Sequence, residues 1–176
     1  MQESITATEA IRLRRSVRNF KNHPQVSEKQ IRLLLEAAMM APSACNTRPW
    51  KFIVVRNREK LDTLAALHPH AKMLTTVSLA IIVCALPEMQ KNTSFGFFPQ
   101  DCAAATQNIL LQAVALGLGS CWCGVYPKEN RISEVRSVLD LVNREDIIPF
   151  NIIAIGVADD FPEARGFYEE DKVSYM

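Results

Sequence analysis

The sequence predicts a single domain, residues 1–176, of the α/β or α+β class with a small sheet. Three short apolar runs, Phe52–Val55, Leu79–Leu86 and Ile152–Val157, have the length and composition of strands. Segments with helical periodicity separate these runs, the pattern of a sheet that carries packed helices. A chain of 176 residues fits one domain and buries about 70% of its unfolded surface on folding.

Composition and charge exclude several classes of function. Apolar residues make up 48% of the chain and charged residues 22%, which is typical of an ordinary globular protein. The 20 Lys and Arg residues against 19 Asp and Glu residues give a net charge of +1, so neither nucleic acid nor an anionic membrane is an expected partner. No run reaches the ~18 apolar residues of a membrane helix, and the N-terminus lacks a basic segment followed by an apolar one. We therefore expect a cytoplasmic protein.

The five cysteines, at positions 45, 84, 102, 121 and 123, form no paired framework. Cys84 and Cys102 lie in very apolar surroundings, where a buried free thiol is the common arrangement. Cys121 and Cys123 form a C-x-C, which is not the spacing of redox or zinc motifs. We therefore expect a reduced protein without a metal site.

Capping signals mark two helices near the N-terminus. Thr6 and Glu9 have the spacing of a capping box and predict a short helix to about Arg15. Ser27–Gln30 repeats the signal, and apolar residues follow at helical spacing, namely Ile31, Leu34, Leu35 and Ala38. This second helix should end before Pro42, because proline disfavours the helical conformation of the preceding residue.

The remaining elements follow in chain order. Residues 58–67 predict a weaker helix, Leu79–Leu86 a strand covered on both faces, and Pro87–Pro99 a loop. A helix over about 100–116 should be buried, because it is apolar on nearly all sides. Three elements complete the prediction: a short strand or extended turn at 121–126, an exposed helix at 128–141 and a central strand at 152–157. From about residue 158 the polar sequence predicts a C-terminal arm.

Four segments carry residues suited to chemistry. Arg14–Arg18 holds three guanidinium groups and a hydroxyl group, which suit an oxyanion, but a solvated basic run at a helix C-terminus is about equally consistent. Pro42–Trp50 offers Ser43 and Asn46 to a heterocyclic ligand, although a plain turn with a core tryptophan is favoured from this segment alone.

The other two segments give weaker signals. Gly117–Gly124 follows a helix rather than a strand, so it is not a nucleotide-binding fingerprint. Its glycines would let backbone amides approach a flat ligand, or they simply end the helix. His68, His70 and Lys72 have no acidic or cysteine neighbour in sequence, which argues against a zinc site.

These segments recur together in one family. R-R-S-x-R-x-F at Arg14–Phe20 and P-S-x-x-N-x-x-P-W at Pro42–Trp50 are followed by the run Lys72–Leu74. A G-L-G-x-x-W-x-G turn then spans Gly117–Gly124, and the arm carries a basic residue, Arg165. In this order and spacing the chain resembles the FMN-dependent nitroreductase family over about residues 8–175.

The resemblance implies an α+β, nitroreductase-like three-layer fold in which a small mixed sheet is flanked by helices. It also implies an interlocked homodimer with exchanged terminal arms and two FMN sites at the dimer interface. NADH or NADPH would be the co-substrate, and a small molecule would accept the electrons.

The resemblance also assigns roles to residues. The flavin phosphate and ribityl chain would be held by Arg14, Ser16, Arg18 and Arg165, with Arg15 beside them. The ring would be met by partner-subunit residues at positions 42, 43 and 46, which in this sequence are Pro42, Ser43 and Asn46. Lys72 would lie near the N1–C2=O edge, where an ammonium group stabilises the charge of the reduced ring. The N5 edge would face the backbone around Trp122, Cys123 and Gly124.

Three functions are consistent with this resemblance. The first is an NAD(P)H oxidoreductase that reduces nitroaromatic, quinone or similar acceptors by a ping-pong mechanism, with the chemistry at flavin N5 and no catalytic side chain. The second is a flavin-binding carrier or sensor without turnover. The third is a substrate-specific dehalogenase or dehydrogenase, for which Phe95–Phe98 is a candidate lid, although interface core is the favoured interpretation of these aromatic residues.

Two features depart from the usual family pattern. Arg48 stands where the family commonly has glutamine before Pro-Trp, and we expect it to leave flavin binding intact while biasing the acceptor or pyridine nucleotide. The chain is also short for the family, so we expect an open and permissive substrate pocket.

Overall fold

The computed structural model describes residues 5–166 and 168–176, which are organised around one sheet. In these residues five α-helices and four strands follow one another: α1 (Ala7–Leu13), α2 (Glu28–Met39), β1 (Trp50–Val55), α3 (Arg58–Leu67), β2 (Leu79–Ala85), α4 (Phe98–Ala115), β3 (Gly119–Gly124), α5 (Glu129–Val138) and β4 (Ile148–Gly156). No helix within the described ranges is long and apolar enough to cross a membrane. The five helices and the four-stranded sheet confirm the α+β class.

The sheet has the order β1-β2-β4-β3, and each neighbouring pair is antiparallel. This corrects the mixed sheet that the resemblance implied. The end of β1 at Val55 pairs with Ala80 near the start of β2, so the connection through α3 returns the chain to the end of the sheet that it left. The parallel pairing seen in the described residues is a single bridge between Ser16 and Ser120.

Two helical layers enclose the sheet and explain the apolar composition of its central strands. Every residue of β2 is buried, with odd-numbered residues facing α2 and α4 and even-numbered residues facing α3 and α5. Leu79, Ile81 and Val83 thus belong to one core, whereas Ala80 and Ile82 belong to the other. This confirms a strand covered on both faces and gives the chain a three-layer arrangement.

The capping signals locate the first two helices, but α1 ends earlier than its sequence suggests. Both capping boxes form, with Thr6 bonded to Glu9 and Ser27 bonded to Gln30. Helix α1 ends at Leu13 rather than near Arg15, because Arg14 has ψ 120° and leads the chain into an extended path. Arg14 is the C-cap of α1, so the basic run follows the helix rather than forming its last turn.

Two element boundaries differ from the sequence prediction, because Pro99 lies inside a helix and Gly119 lies inside a strand. Helix α4 begins at Phe98, so Pro99 lies in its first turn, where a missing N–H costs no intrahelical bond. Gly117 has φ +68° and ends the helix as expected, whereas Gly119 already belongs to β3. The predicted loop at 87–99 and the predicted strand at 121–126 are corrected accordingly.

Candidate functional site

Five of the residues that the sequence singled out line one cavity. The cavity has a volume of about 460 Å³ and is lined by Ile11, Arg14, Arg15, Ser16, Arg18 and Arg165. Arg165 belongs to the C-terminal arm and is far from the others in sequence. The fold thus brings four guanidinium groups and a hydroxyl group to one place.

An extended backbone places these arginines at the edge of the sheet. The Val17 N–H donates a hydrogen bond to the Ser120 carbonyl at 2.9 Å, and Ser16 forms a parallel bridge with Ser120. Val17 and Phe20 are buried and hold this segment against the core, while Arg14, Arg15, Ser16 and Arg18 line the cavity.

Gly119 allows this close approach. A Cβ atom at position 119 would lie 2.9 Å from Val17 Cγ1 and 3.0 Å from Phe20 Cε1, and contacts under 3.0 Å are not tolerated. The glycine in β3 therefore serves packing of the arginine-bearing segment. The opposite end of the strand differs, since a Cβ atom at Gly124 would meet nothing within 4 Å.

The cavity carries positive charge without a compensating carboxylate. Across residues 5–166 and 168–176, none of Arg14, Arg15, Arg18 and Arg165 forms an ion pair. Arg15 donates a hydrogen bond to the Glu163 carbonyl, which ties the C-terminal arm to this edge. Four guanidinium groups in one cavity repel one another, and a dianion such as a phosphate group would relieve that repulsion through charge-assisted hydrogen bonds.

A second cavity adjoins the first through Arg18. It has a volume of about 310 Å³ and is lined by Arg18, Pro69, His70, Lys72 and Met73. Lys72 is exposed at the start of a 3₁₀ turn, Lys72–Thr75, whose Met73 and Leu74 are buried. Arg18 is therefore common to the arginine-lined cavity and to a neighbouring cavity that presents an ammonium group.

The end of β3 supplies backbone and two thiol groups near these cations. Trp122 is half-buried and its ring centroid lies 6.0 Å from that of Phe150, while Gly124 is exposed. Cys121 and Cys123 are both buried on one face of the strand. The Cys123 thiol, together with the cations Arg18 and Arg14, lowers the pKa of Cys121 to about 7, against the opposing effect of burial.

The Cys123 proton also has a backbone acceptor, because Cys123 Sγ lies 3.3 Å from the His70 carbonyl oxygen. Sharing of a proton with Cys121 and burial raise the pKa of Cys123, so Cys123 is the protonated member of the pair. The other two buried thiols, Cys84 and Cys102, are free as expected, and burial raises the pKa of Cys84 to about 12.

The loop Pro42–Trp50 lies apart from both arginine-lined cavities. Ser43 Oγ accepts a hydrogen bond from the Arg48 N–H at 2.9 Å, and Arg48 Nε donates to Asn46 Oδ1 at 3.1 Å. Cys45, Asn46 and Arg48 all have φ between 50° and 53°. Positive φ at non-glycine residues costs roughly 1–3 kcal/mol each and persists only where the surroundings impose it.

Sequence patterns gave neither of two residues the positioning role seen in the structure, because Asp101 carried no signal and His68 was only a weak candidate for metal binding. Asp101, which is 5% exposed, accepts a hydrogen bond from the Ala44 N–H at 2.9 Å and so holds the loop Pro42–Trp50 from helix α4. His68, which is 3% exposed, contacts the Gly124 carbonyl oxygen through Nε2 at 2.8 Å. Both contacts join residues more than 50 positions apart, which local sequence patterns do not reveal.

An antiparallel sheet between two helical layers, with a cluster of arginines at one edge, defines an α+β protein with a candidate anion site. The chain matches the model of the Nitroreductase family over residues 11–82 and 70–157 and belongs to this family.

Relatives of nearly full length support the assignment. A Methanothermobacter thermautotrophicus protein provisionally named NADH dehydrogenase/NAD(P)H nitroreductase is 43% identical over 165 residues, which cover 94% of this chain and 84% of the relative. A crystal structure with the same provisional name, from Bacteroides thetaiotaomicron, is 41% identical with a TM-score of 0.89 and covers 96% of each chain. A provisionally named nitroreductase of Desulfovibrio desulfuricans, solved in complex with FMN, is 28% identical with a TM-score of 0.81 and covers 98% of this chain and 97% of its own.

Replacement of Gly119 by alanine tests how the arginines are placed. We expect Gly119→Ala to lower the free energy of unfolding by about 1–3 kcal/mol, because the new methyl group overlaps Val17 and Phe20. Gly124→Ala is the matched control at the other end of β3 and should leave stability within about 1 kcal/mol of wild type. Chemical denaturation measures both variants, and equal stabilities would show that the packing over Gly119 is not required.

Proposed function

We propose that this protein is an FMN-dependent oxidoreductase that takes a hydride from NADH or NADPH and reduces nitroaromatic, quinone or similar acceptors by a ping-pong mechanism. The observation that carries the proposal is the cavity that gathers four arginines and Ser16 and is joined through Arg18 to a second cavity with Lys72. A ligand with a phosphate group at one end and a polar ring at the other suits this arrangement. Membership of the nitroreductase family and the FMN complex of the Desulfovibrio relative support the choice of FMN.

The residues present fit FMN. Arg14, Arg18 and Arg165 would bind the phosphate group and Ser16 would add a hydroxyl donor, with Arg15 beside them. Lys72 would stabilise negative charge on the pyrimidine edge of the ring, and the exposed backbone at Gly124 leaves space for a flat group. When bound, FMN would carry two electrons from the pyridine nucleotide to the acceptor.

We assign no catalytic side chain in this mechanism. The protein's contribution is to bind, to orient and to supply charge: the arginines fix one end of the cofactor, and Lys72 provides an ammonium group at the other. Both cavities are open to small molecules, which is consistent with a permissive pocket for the acceptor.

We propose further that the active form is a homodimer in which Pro42, Ser43 and Asn46 of one subunit complete the site of the other. In the single chain these residues line neither of the two arginine-lined cavities, and a second chain would bring them to the same ligand. A surface suited to such pairing lies across α1, α2 and α4, where an apolar cavity of about 280 Å³ is flanked by Met40, which is 78% exposed. Burial of this surface would contribute about 25 cal/mol per Å².

The visible absorption spectrum of the purified protein tests the proposal directly. We expect a flavin spectrum, release of FMN at about one per chain after heat denaturation, and bleaching by NADH or NADPH without oxygen. Light scattering on the same sample should give twice the mass of one chain. A colourless protein that takes up no added FMN would refute the proposed function, and flavin binding without consumption of either nucleotide would instead identify a carrier or sensor.

Lys72→Ala tests the role of the ammonium group. We expect flavin reduction to slow roughly ten- to hundredfold, because a charge-assisted interaction with the reduced ring is lost, while the FMN dissociation constant changes less. Lys29→Ala, which removes an exposed lysine of α2, is the control and should behave as wild type. Rapid-mixing measurement of flavin bleaching separates the two effects, and wild-type reduction rates in Lys72→Ala would exclude this role.

Arg48→Gln tests the departure from the usual family pattern. Arg48 is exposed and lines a separate cavity of about 410 Å³ with Trp50 and Lys51, where a guanidinium group favours an anionic ligand. We expect the variant to bind FMN normally and to change its preference between NADH and NADPH or between acceptors by roughly tenfold. Arg56→Gln, one residue beyond the other end of β1, is the control. Unchanged kcat/KM values for every nucleotide and acceptor would remove Arg48 from specificity.

A further inference from the structure

His68 is a buried titratable residue to which the proposed chemistry gives no role. Its side chain lies between two parts of the candidate site: the end of β3 at Gly124 and the segment 69–73, which lines the cavity shared with Arg18. Nε2 is 2.8 Å from the Gly124 carbonyl oxygen, and Nδ1 is 3.2 Å from the His70 backbone nitrogen. Both ring nitrogens are therefore engaged.

These two contacts determine the protonation state of the ring. A carbonyl oxygen can only accept a hydrogen bond, so Nε2 must carry a proton to bind Gly124. A backbone N–H can only donate, so Nδ1 must be unprotonated to accept from His70. The neutral Nε2–H tautomer alone satisfies both, because the imidazolium form would place two N–H groups against each other.

A second link joins the same two segments. Cys123 Sγ donates to the His70 carbonyl oxygen at 3.3 Å, next to the His68 contact. Arg131 Nη1 donates to the Gly124 carbonyl oxygen at 3.1 Å, so this acceptor is bound from two sides. The segment is also anchored by Ala71, which is fully buried and donates its N–H to the His68 carbonyl at 3.1 Å.

We propose that His68 is a positioning residue that holds the Lys72-bearing segment and the Gly124 end of β3 in one fixed arrangement. The proposal rests on the proposed function, since it gives this arrangement a purpose: the ammonium group and the strand backbone are presented together to the same flat cofactor. Within the described residues, loss of the Nε2 contact leaves the Gly124 carbonyl bound by Arg131 alone and the two segments joined only by the Cys123–His70 link, so their relative position is held less firmly. Pre-organisation of two contacts on one ligand is then lost, which weakens binding and alters the stabilisation of the reduced ring.

Three substitutions separate the two ring contacts. His68→Gln carries an amide that reaches the position of Nε2 and can still donate to Gly124. His68→Asn has a shorter side chain, which retains an acceptor near the position of Nδ1 but does not reach Gly124. His68→Leu keeps the apolar volume and removes both contacts. His23→Gln is the control, because His23 lines neither cavity.

The FMN dissociation constant and the flavin midpoint potential are the measurements, with the free energy of unfolding recorded for each variant. We expect His68→Leu and His68→Asn to weaken FMN binding about tenfold and to shift the midpoint potential, whereas His68→Gln and His23→Gln stay within about threefold of wild type. Histidine-ring ¹⁵N spectra of the wild-type protein should show the Nε2–H tautomer for His68. That spectrum is independent of turnover.

The outcomes distinguish the inference from the function on which it rests. A wild-type protein that binds no FMN refutes the proposed function and with it the role of His68. A wild-type protein that binds FMN, with His68→Leu and His68→Asn unchanged in affinity and potential, overturns the inference and leaves the function intact. Equal losses in the Gln and Asn variants, or an Nδ1–H tautomer, also overturn it, because the contact to Gly124 would then not be the cause.

Discussion

The site depends on one backbone pairing, the hydrogen bond from the Val17 N–H to the Ser120 carbonyl at 2.9 Å. This bond keeps the chain extended after α1, so that successive arginines do not spiral away around a helix. Two further backbone hydrogen bonds join the following residues to the start of the C-terminal arm. The Lys21 N–H donates to the Val157 carbonyl, and the Asp159 N–H donates to the Asn19 carbonyl. Residues 19–21 and the start of the C-terminal arm therefore run side by side, which explains how Arg165 reaches a cavity built by residues near the N-terminus.

Packing in the rest of the fold offsets the unfavourable free energy of the candidate site. Unpaired guanidinium groups repel one another, and positive φ values in the loop Pro42–Trp50 are unfavourable for side chains other than glycine. Against these stand two apolar cores on either side of β2 and β4, whose residues are almost entirely buried. Departures from local preference are thus concentrated where ligands are expected, and the sheet that supports them obeys ordinary packing rules.

Local sequence signals predicted the elements whose stability is local. Helix α3 occupies residues 58–67 as expected, and α2 begins at its capping box and ends before Pro42. The sequence could not predict the extended path of Arg14–Arg18, because this path depends on pairing with Ser120, about one hundred residues away. The same limit applies to the start of β3, whose glycine serves a contact with Val17 rather than a turn.

The candidate site shows a similar division. The arginine cluster was predictable as an anion site only together with Arg165, and it was the resemblance, not the basic run itself, that connected the two. The sequence did not predict the positive φ values at Cys45, Asn46 and Arg48, because none of these residues is a glycine. In the sequence, His68 and His70 were weak candidates for metal ligands. In the structure, both ring nitrogens of His68 are used in hydrogen bonds, one of them to a residue 56 positions away. Long-range polar contacts of this kind leave no periodic pattern in a sequence.

The two margins of the sheet differ in a way that bears on how the chain behaves at high concentration. The margin at β3 is closed by residues 16 and 17, whereas no strand in the described parts of the chain covers β1. An open margin offers unpaired amides and carbonyls to other molecules and is a starting point for ordered aggregation. The exposed charge of Lys51 stands on this strand, and like charges on two approaching copies repel each other. A charge at this margin therefore discourages edge-to-edge pairing between copies of the chain, a role separate from any contact that it makes within one copy.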